Sequence, residues 1–143
     1  MDLGVVERRA HFQPELASPA AARAFVRSEL EQQAVPEPPL ETAILLTSEL
    51  VSNALLHART PVDLLLVMAS SGVRVEVHDG NRRQPAAATS PAPLDATTGR
   101  GLMMVEALAG RWGVDGTGDG KTVWFELPVA LEASGRAQRS ADR

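Results

Sequence analysis

The chain has 143 residues, of which 44% are hydrophobic and 3% aromatic, with no cysteine and a formal net charge of −4. This size predicts a single domain over residues 1–129, followed by a polar, disordered tail over residues 130–143. The lack of cysteine excludes disulfides and thiol chemistry. The negative charge and the few aromatic residues argue against direct binding of nucleic acid. The sequence has no apolar run of about 18 residues, so we expect a cytoplasmic protein that does not bind membranes.

The first part of the chain predicts one strand and two helices. Alternation over residues 5–12 indicates an edge strand. Ser18 and Pro19 predict the N-cap and the first position of a helix over residues 18–33, which a proline-rich connector ends. A second helix is predicted over residues 40–58, because apolar and small residues recur there with the 3.6-residue period of a helix lying on a core.

The middle of the chain predicts a hairpin and a long loop. Apolar runs over residues 62–69 and 73–78 are joined by Ser70-Ser-Gly72, which is typical of two antiparallel strands with a tight turn. Residues 81–98 show neither a helical nor a strand period. Loops of this length inside a compact domain are usually functional.

The last part of the chain predicts a helix and two closing strands. The helix covers residues 102–109, and the strands cover residues 112–114 and 122–127 around a turn at residues 115–120. The order of these elements favours an α+β fold, a two-layer sandwich with helices on one face of a mainly antiparallel sheet.

The second helix carries the first candidate motif. Glu49, Asn53 and His57 are spaced four residues apart, so they line one stripe of the predicted helix. A carboxylate and a carboxamide on one stripe can orient a hydroxyl group and offer an oxygen ligand to Mg²⁺. By itself this spacing is more often a solvated helix face, and the other two motifs favour the functional interpretation.

The second motif lies where the hairpin's second strand ends, in Val75-Glu-Val-His-Asp79-Gly80-Asn81. A carboxylate at Asp79 can accept a hydrogen bond from the exocyclic amine of adenine, and Gly80 allows the backbone to approach a flat base. The alternative is an ordinary Asp-Gly turn.

The third motif is the glycine-rich turn Thr98-Gly99-Arg100-Gly101-Leu102 before the last predicted helix. Unpaired N–H groups at a helix start favour anions, glycines let a phosphate approach, and Arg100 adds a cation. The turn is not a P-loop, because no Gly-Lys-Ser/Thr follows, and it lacks the third glycine of a Rossmann fingerprint. The alternative is a flexible hinge.

The three motifs, in this order, resemble the GHKL (Bergerat-fold) ATPase superfamily of gyrase B, MutL and histidine kinases. Within it, the sequence is most similar to the bacterial anti-sigma regulatory factors, which are small serine/threonine protein kinases. The resemblance covers about residues 20–128. The motif around Glu49 and Asn53 matches the N box of the superfamily, and the turn at Gly99-Arg100-Gly101 matches its second glycine box. The segment Gly120-Lys-Thr-Val-Trp124-Phe125 resembles the closing strand of stand-alone actinobacterial members. One departure is that Asp79-Gly80-Asn81-Arg82 lacks the second glycine of the superfamily's D-x-G-x-G pattern.

The resemblance implies ATP and Mg²⁺ as cofactors and a role for each motif. Asn53 would ligate Mg²⁺, and Glu49 would be the general base for the attacking hydroxyl. Asp79 would bind the adenine amine, with Gly80 beneath the ring. The residues that would hold the phosphates are Gly99, Arg100, Gly101 and Leu102.

The resemblance also implies partners: an anti-anti-sigma (STAS-type) protein, a sigma factor, and a second copy of the chain in a homodimer. The implied activity is transfer of the ATP γ-phosphate to a serine or threonine of that partner. The alternative is a nucleotide-binding regulatory module with little or no kinase activity. The resemblance also places Ser52 and His57 near the site, although we expect His57 to be a structural residue at a helix end. Lys121 is a minor candidate, which we expect to sit at a strand start.

Overall fold

The computed structural model describes residues 4–80, 105, 107–118 and 120–129. Within these residues the elements follow the predicted order. They are β1 (Val6–Phe12), α1 (Ser18–Gln32), α2 (Pro39–Asn53), a π-helical turn (Ala54–Ala58), β2 (Val62–Ala69), β3 (Gly72–Asp79), β4 (Arg111–Thr117) and β5 (Gly120–Pro128). The predicted loop over residues 81–98, the start of the helix over residues 102–109, and the tail over residues 130–143 lie outside the described residues.

The five strands form one sheet in the order β1-β2-β3-β5-β4. Every neighbouring pair is antiparallel. The edge position predicted for the first strand is confirmed, since β1 pairs only with β2 among the described strands. The predicted α+β fold is confirmed as well: a five-stranded antiparallel sheet with helices.

One face of the sheet packs on the helices and forms the core. The alternation predicted for β3 is confirmed, because Val73, Val75 and Val77 are buried while the residues between them are half-buried. Alternation has this effect because successive side chains of a strand point to opposite faces. The largest fully buried side chain, Phe125, lies on β5, opposite Val75 of β3.

The other face of the sheet carries a polar cluster around Trp124 of β5. The Arg74 guanidinium donates hydrogen bonds to Glu76 and Glu126, each at 2.7 Å, and lies 4.2 Å from the centroid of the Trp124 ring. Burial by itself lowers the pKa of Arg74, but the hydrogen bonds and the charges of Glu76 and Glu126 outweigh it, so the pKa is raised. This cluster joins β3 and β5 across the face that the helices leave uncovered.

The start of α1 differs from the prediction. Ser18 is the first helical residue rather than the N-cap, which is Ala17 and makes no side-chain capping bond. The Ser18 hydroxyl instead donates to the carbonyl oxygen of Gln13 at 2.6 Å, and the residue is buried. The predicted cap is wrong because the hydroxyl bonds backwards to the connector and so fixes how β1 leads into α1.

Two predicted turns are shorter in the structure. Gly72 is the first residue of β3, so the hairpin loop contains only Ser70 and Ser71. Strands β4 and β5 extend into the predicted turn at residues 115–120 and pair as far as Thr117 and Gly120. Pairing with a neighbouring strand supplies backbone hydrogen bonds that local turn propensity does not register.

The helix predicted over residues 102–109 is described only near its end. Val105 is buried, and its carbonyl oxygen accepts the Ala109 N–H at 2.8 Å, an i to i+4 bond. Across the described segments, no helix combines the length and the apolar character needed to cross a membrane.

Candidate functional site

Two of the three predicted motifs lie at the same end of the sheet. At this end β3 finishes with Asp79, which is in register with Val62 at the start of β2 and with Lys121 at the start of β5. The chain reaches β2 from Asn53 through the π-helical turn and a three-residue connector ending at Pro61. The C-terminal end of α2 therefore leads into the end of the sheet where Asp79 lies.

Asn53 is the last residue of α2, and its buried side-chain oxygen has no hydrogen-bond partner among the residues that the structure describes. A buried amide oxygen without a partner costs about 1–3 kcal/mol. Such an atom is a good ligand for a hard cation, because Mg²⁺ takes oxygen donors. The Asn53 oxygen therefore fits the Mg²⁺ ligand that the sequence resemblance implies.

The helix changes its geometry directly after Asn53. The Arg59 N–H donates to the Ala54 carbonyl oxygen at 3.1 Å, an i to i+5 bond, and Arg59 adopts a left-handed conformation with φ 58°. The helix predicted over residues 40–58 does extend to Ala58, but its last turn is π-helical rather than α-helical. Single π-helical turns are frequent at functional sites.

Glu49 lies one α-helical turn before Asn53 and is half-buried. Within residues 4–80 and the other described segments, its carboxylate makes no ion pair or hydrogen bond. The neighbouring Ser48 is buried and accepts a hydrogen bond from Arg23 of α1 at 2.8 Å, which ties the two helices together. Glu49 thus lies on a helix that is tied to α1 at the neighbouring residue.

Asp79 is buried, with 3% of its surface exposed. The Lys121 ammonium donates a hydrogen bond to Oδ2 of Asp79 at 2.8 Å. The side chain of Lys121 is 10% exposed and that of Asp79 is 4% exposed. Lys121 does sit at a strand start, as predicted, but it is also part of the candidate site. The sequence offered it only as a minor candidate, because residues 79 and 121 meet only through the pairing of β3 with β5.

Gly80 is held by Thr60, which precedes β2 on the side of β3 opposite to Lys121. The Gly80 N–H donates to Thr60 Oγ1 at 2.8 Å. A Cβ at position 80 would lie 3.4 Å from Thr60, which is at most slightly tight, so the protein itself tolerates a side chain there. Any requirement for glycine at this position therefore comes from what approaches it from outside. Thr60 was not singled out from the sequence.

The third predicted motif is the glycine-rich turn, which is predicted to bind phosphate. Gly99, Arg100, Gly101 and Leu102 lie outside the described residues, so their role stays a prediction. The described residues contain no group of three histidine, aspartate or glutamate side chains arranged to hold a metal ion. Such a group is not required for Mg²⁺ bound with a nucleotide, which usually keeps several waters and takes only one or two protein ligands beside the phosphate oxygens.

Comparison with known proteins identifies the class of this domain. The family model of the histidine kinase-like ATPase domain matches residues 12–127, so the chain belongs to this family. The family confirms the superfamily recognised from the motifs, and it establishes ATP as the ligand of the domain.

One curated relative is an uncharacterized protein of Streptomyces coelicolor, SCO4941. It is 40% identical over 68 residues, which cover 47% of this chain and 65% of that protein. The match thus spans less than two thirds of the relative.

Solved structures share the fold. The RsbU and RsbW domains of Rv1364c from Mycobacterium tuberculosis match with a TM-score of 0.68 at 18% identity, over 87% of this chain and 32% of that one. The blue-light activated histidine kinase of Erythrobacter litoralis EL346 matches with a TM-score of 0.54 at 26% identity, over 70% of this chain and 33% of that one. This chain therefore corresponds to about a third of each of these larger chains.

Proposed function

We propose that this protein is an ATP-dependent serine/threonine protein kinase of the anti-sigma-factor type. It would transfer the γ-phosphate of ATP to a serine or threonine of an anti-anti-sigma (STAS-type) protein and thereby regulate a sigma factor. Family membership supports the nucleotide. The likeness in fold to a structure that contains an RsbW domain and the resemblance of the N box support the regulatory role.

The observation that carries the proposal is the buried, unpartnered oxygen of Asn53. Buried polar atoms are almost always paired, so the lack of a partner for this oxygen among the described residues supports a ligand for it. The position four residues after Glu49 also matches the N box of the family that the sequence resembles.

Each residue would contribute one function. Bound Mg²⁺, held by Asn53, would offset the charge of the phosphates. Asp79 would accept a hydrogen bond from the adenine amine, and Gly80 would lie beneath the ring. The phosphates would be held by Gly99, Arg100, Gly101 and Leu102.

The chemical step would be an in-line displacement at the γ-phosphorus. The partner's hydroxyl oxygen bonds to phosphorus, the bond to the bridging oxygen breaks, and ADP leaves. Glu49 accepts the hydroxyl proton, which is general-base catalysis by a carboxylate. Most of the acceleration in such a reaction comes from positioning and charge stabilisation.

The first experiment is calorimetric titration of ATP into the wild type and Asn53→Ala, with and without Mg²⁺. We expect Mg²⁺ to strengthen binding to the wild type by at least about tenfold and to have little effect on the variant. Ser52→Ala is the matched control, since Ser52 is the half-buried neighbour of Asn53 on the same helix. Equal strengthening by Mg²⁺ in the wild type and Asn53→Ala would rule out Asn53 as the ligand.

The second experiment is transfer of labelled γ-phosphate to a purified STAS-type protein. A phosphoserine or phosphothreonine on that protein would support the kinase. Binding of Mg²⁺-ATP without transfer would favour the alternative, a nucleotide-binding regulatory module. The observation behind this alternative is the sequence Asp79-Gly80-Asn81-Arg82, which lacks the second glycine of the superfamily's pattern.

Homodimer formation is a further part of the proposal and rests on the family resemblance alone. Sedimentation equilibrium of the purified chain tests it. A single species at the monomer mass of 15.2 kDa across concentrations would contradict it.

A further inference from the structure

Lys121 is the only lysine of the chain, which also contains thirteen arginines. It is the second residue of β5, and its side chain points to the helix-covered face that also contains Val123 and Phe125. A lysine is almost never this buried unless it is paired. Its partner is the carboxylate of Asp79, at 2.8 Å.

The backbone fixes the two residues against each other. Asp79 and Lys121 are directly opposite in the pairing of β3 with β5. At Gly120 the strands approach so closely that a Cβ would overlap the carbonyl oxygen of Asp79 and lie 2.9 Å from the Cα of Gly80. Only glycine fits at this position, so the backbone at the end of β3 lies directly against the start of β5.

A cation beside Asp79 determines which hydrogen bonds this carboxyl group can make. An ionised carboxylate only accepts hydrogen bonds, whereas a protonated one also donates. A buried carboxylate without a cation is costly and takes up a proton instead. The Lys121 ammonium, 2.8 Å from Oδ2, is the cation that pairs with the Asp79 carboxylate, and such a pair presents an acceptor to the base.

This distinction separates two classes of purine. A 6-amino purine such as adenine offers a donor at position 6, which an ionised carboxylate accepts. A 6-oxo purine such as hypoxanthine or guanine offers an acceptor there, which an ionised carboxylate repels. A protonated carboxyl group would pair with the 6-oxo group.

We propose that Lys121 is a positioning residue that makes the site select 6-amino over 6-oxo purine nucleotides. It acts through Asp79, and it neither contacts the phosphates nor takes part in transfer. The inference rests on the proposed function, in that it requires Asp79 to read the base. Sequence alone left Lys121 as a strand-start residue, and the ion pair gives it this role.

The test compares the affinities of ATP and inosine triphosphate, which differ in the group at position 6. We expect Lys121→Met, which keeps the length and removes the charge, to reduce the preference for ATP by about tenfold, the effect of one hydrogen bond to a charged group. Lys121→Arg, which restores a cation, should recover most of the preference. A structural role would lower both affinities together and leave their ratio unchanged.

A second measurement needs no variant, because a single lysine gives a single signal. In protein made with ¹³C-labelled lysine, we expect saturating ATP to shift the Cε signal of Lys121 more than saturating inosine triphosphate does. Equal shifts with the two nucleotides would overturn the inference, and so would a wild-type ratio of the ATP and inosine triphosphate affinities in Lys121→Met. Either result would leave the proposed function intact. A wild type that binds neither nucleotide would overturn both.

Discussion

The hydroxyl of Thr60 accepts the backbone N–H of Gly80 at 2.8 Å, across 20 residues of sequence. This bond ties the connector that follows the Asn53 helix to the exit of β3. It therefore links the residue proposed to hold the cation to the residues proposed to hold the base, through one short segment of chain. Any shift of that segment would change the distance between the two halves of the proposed nucleotide site.

We expect Thr60→Val to loosen this link. The substitution keeps the branched shape and removes the acceptor, so the free energy of unfolding should fall by about 1 kcal/mol. The affinity for ATP should fall as well, because Gly80 loses its support. Urea denaturation and calorimetry measure the two effects, and Thr60→Ser, which keeps the hydroxyl, is the control. Unchanged ATP affinity in Thr60→Val would show that the bond does not support the site.

Asn53→Ala should separate stability from ligand binding. The substitution removes a buried oxygen that has no partner, and alanine favours the helix. We therefore expect no loss of stability without nucleotide. Mg²⁺-ATP should raise the melting temperature of the wild type and have a much smaller effect on the variant, since the stabilisation by a ligand increases with its affinity. Thermal denaturation with and without Mg²⁺-ATP measures both. A marked destabilisation of the ligand-free variant would indicate a structural role for Asn53.

Glu49→Ala should retain ATP binding and lose phosphate transfer. Removing a general base typically costs about 10²–10⁴ in rate. Single-turnover transfer to the STAS-type partner measures the rate, with Glu41→Ala as a control, since Glu41 is an exposed glutamate of the same helix that pairs with Arg27. Transfer by Glu49→Ala at the wild-type rate would exclude Glu49 as the base.

Gly113→Ala should destabilise the fold at a place remote from the site. A Cβ at Gly113 would lie 2.7 Å from the ring of Trp124, which Arg74 covers from 4.2 Å. The ring must move, and such overpacking costs about 1–3 kcal/mol. Gly118→Ala is the matched control, because a Cβ there has no atom within 4 Å. Denaturation followed by tryptophan fluorescence should show a lower midpoint for Gly113→Ala alone, and equal midpoints would contradict the packing around Trp124.

Local patterns in the sequence were sufficient for the type of most elements. Alternation of valine with polar residues defined β3, and the 3.6-residue period of apolar residues defined α2, since both periods follow from backbone geometry alone. The limits of elements were less predictable. The π-helical turn after Asn53 and the tight turn between β4 and β5 depend on how the chain packs, and Ser18 bonds to Gln13 rather than capping its own helix.

The same division holds for the candidate site. The sequence by itself determined the superfamily, because the residues that carry its chemistry lie in short runs around Asn53, Asp79 and Gly99. Only the tertiary structure decided that Lys121 pairs with Asp79 and that Thr60 supports Gly80. Lys121 and Asp79 are 42 positions apart in the chain, and Thr60 and Gly80 are 20 positions apart. They depend on the register between strands, which is fixed by burial of a whole face of the sheet rather than by any local motif.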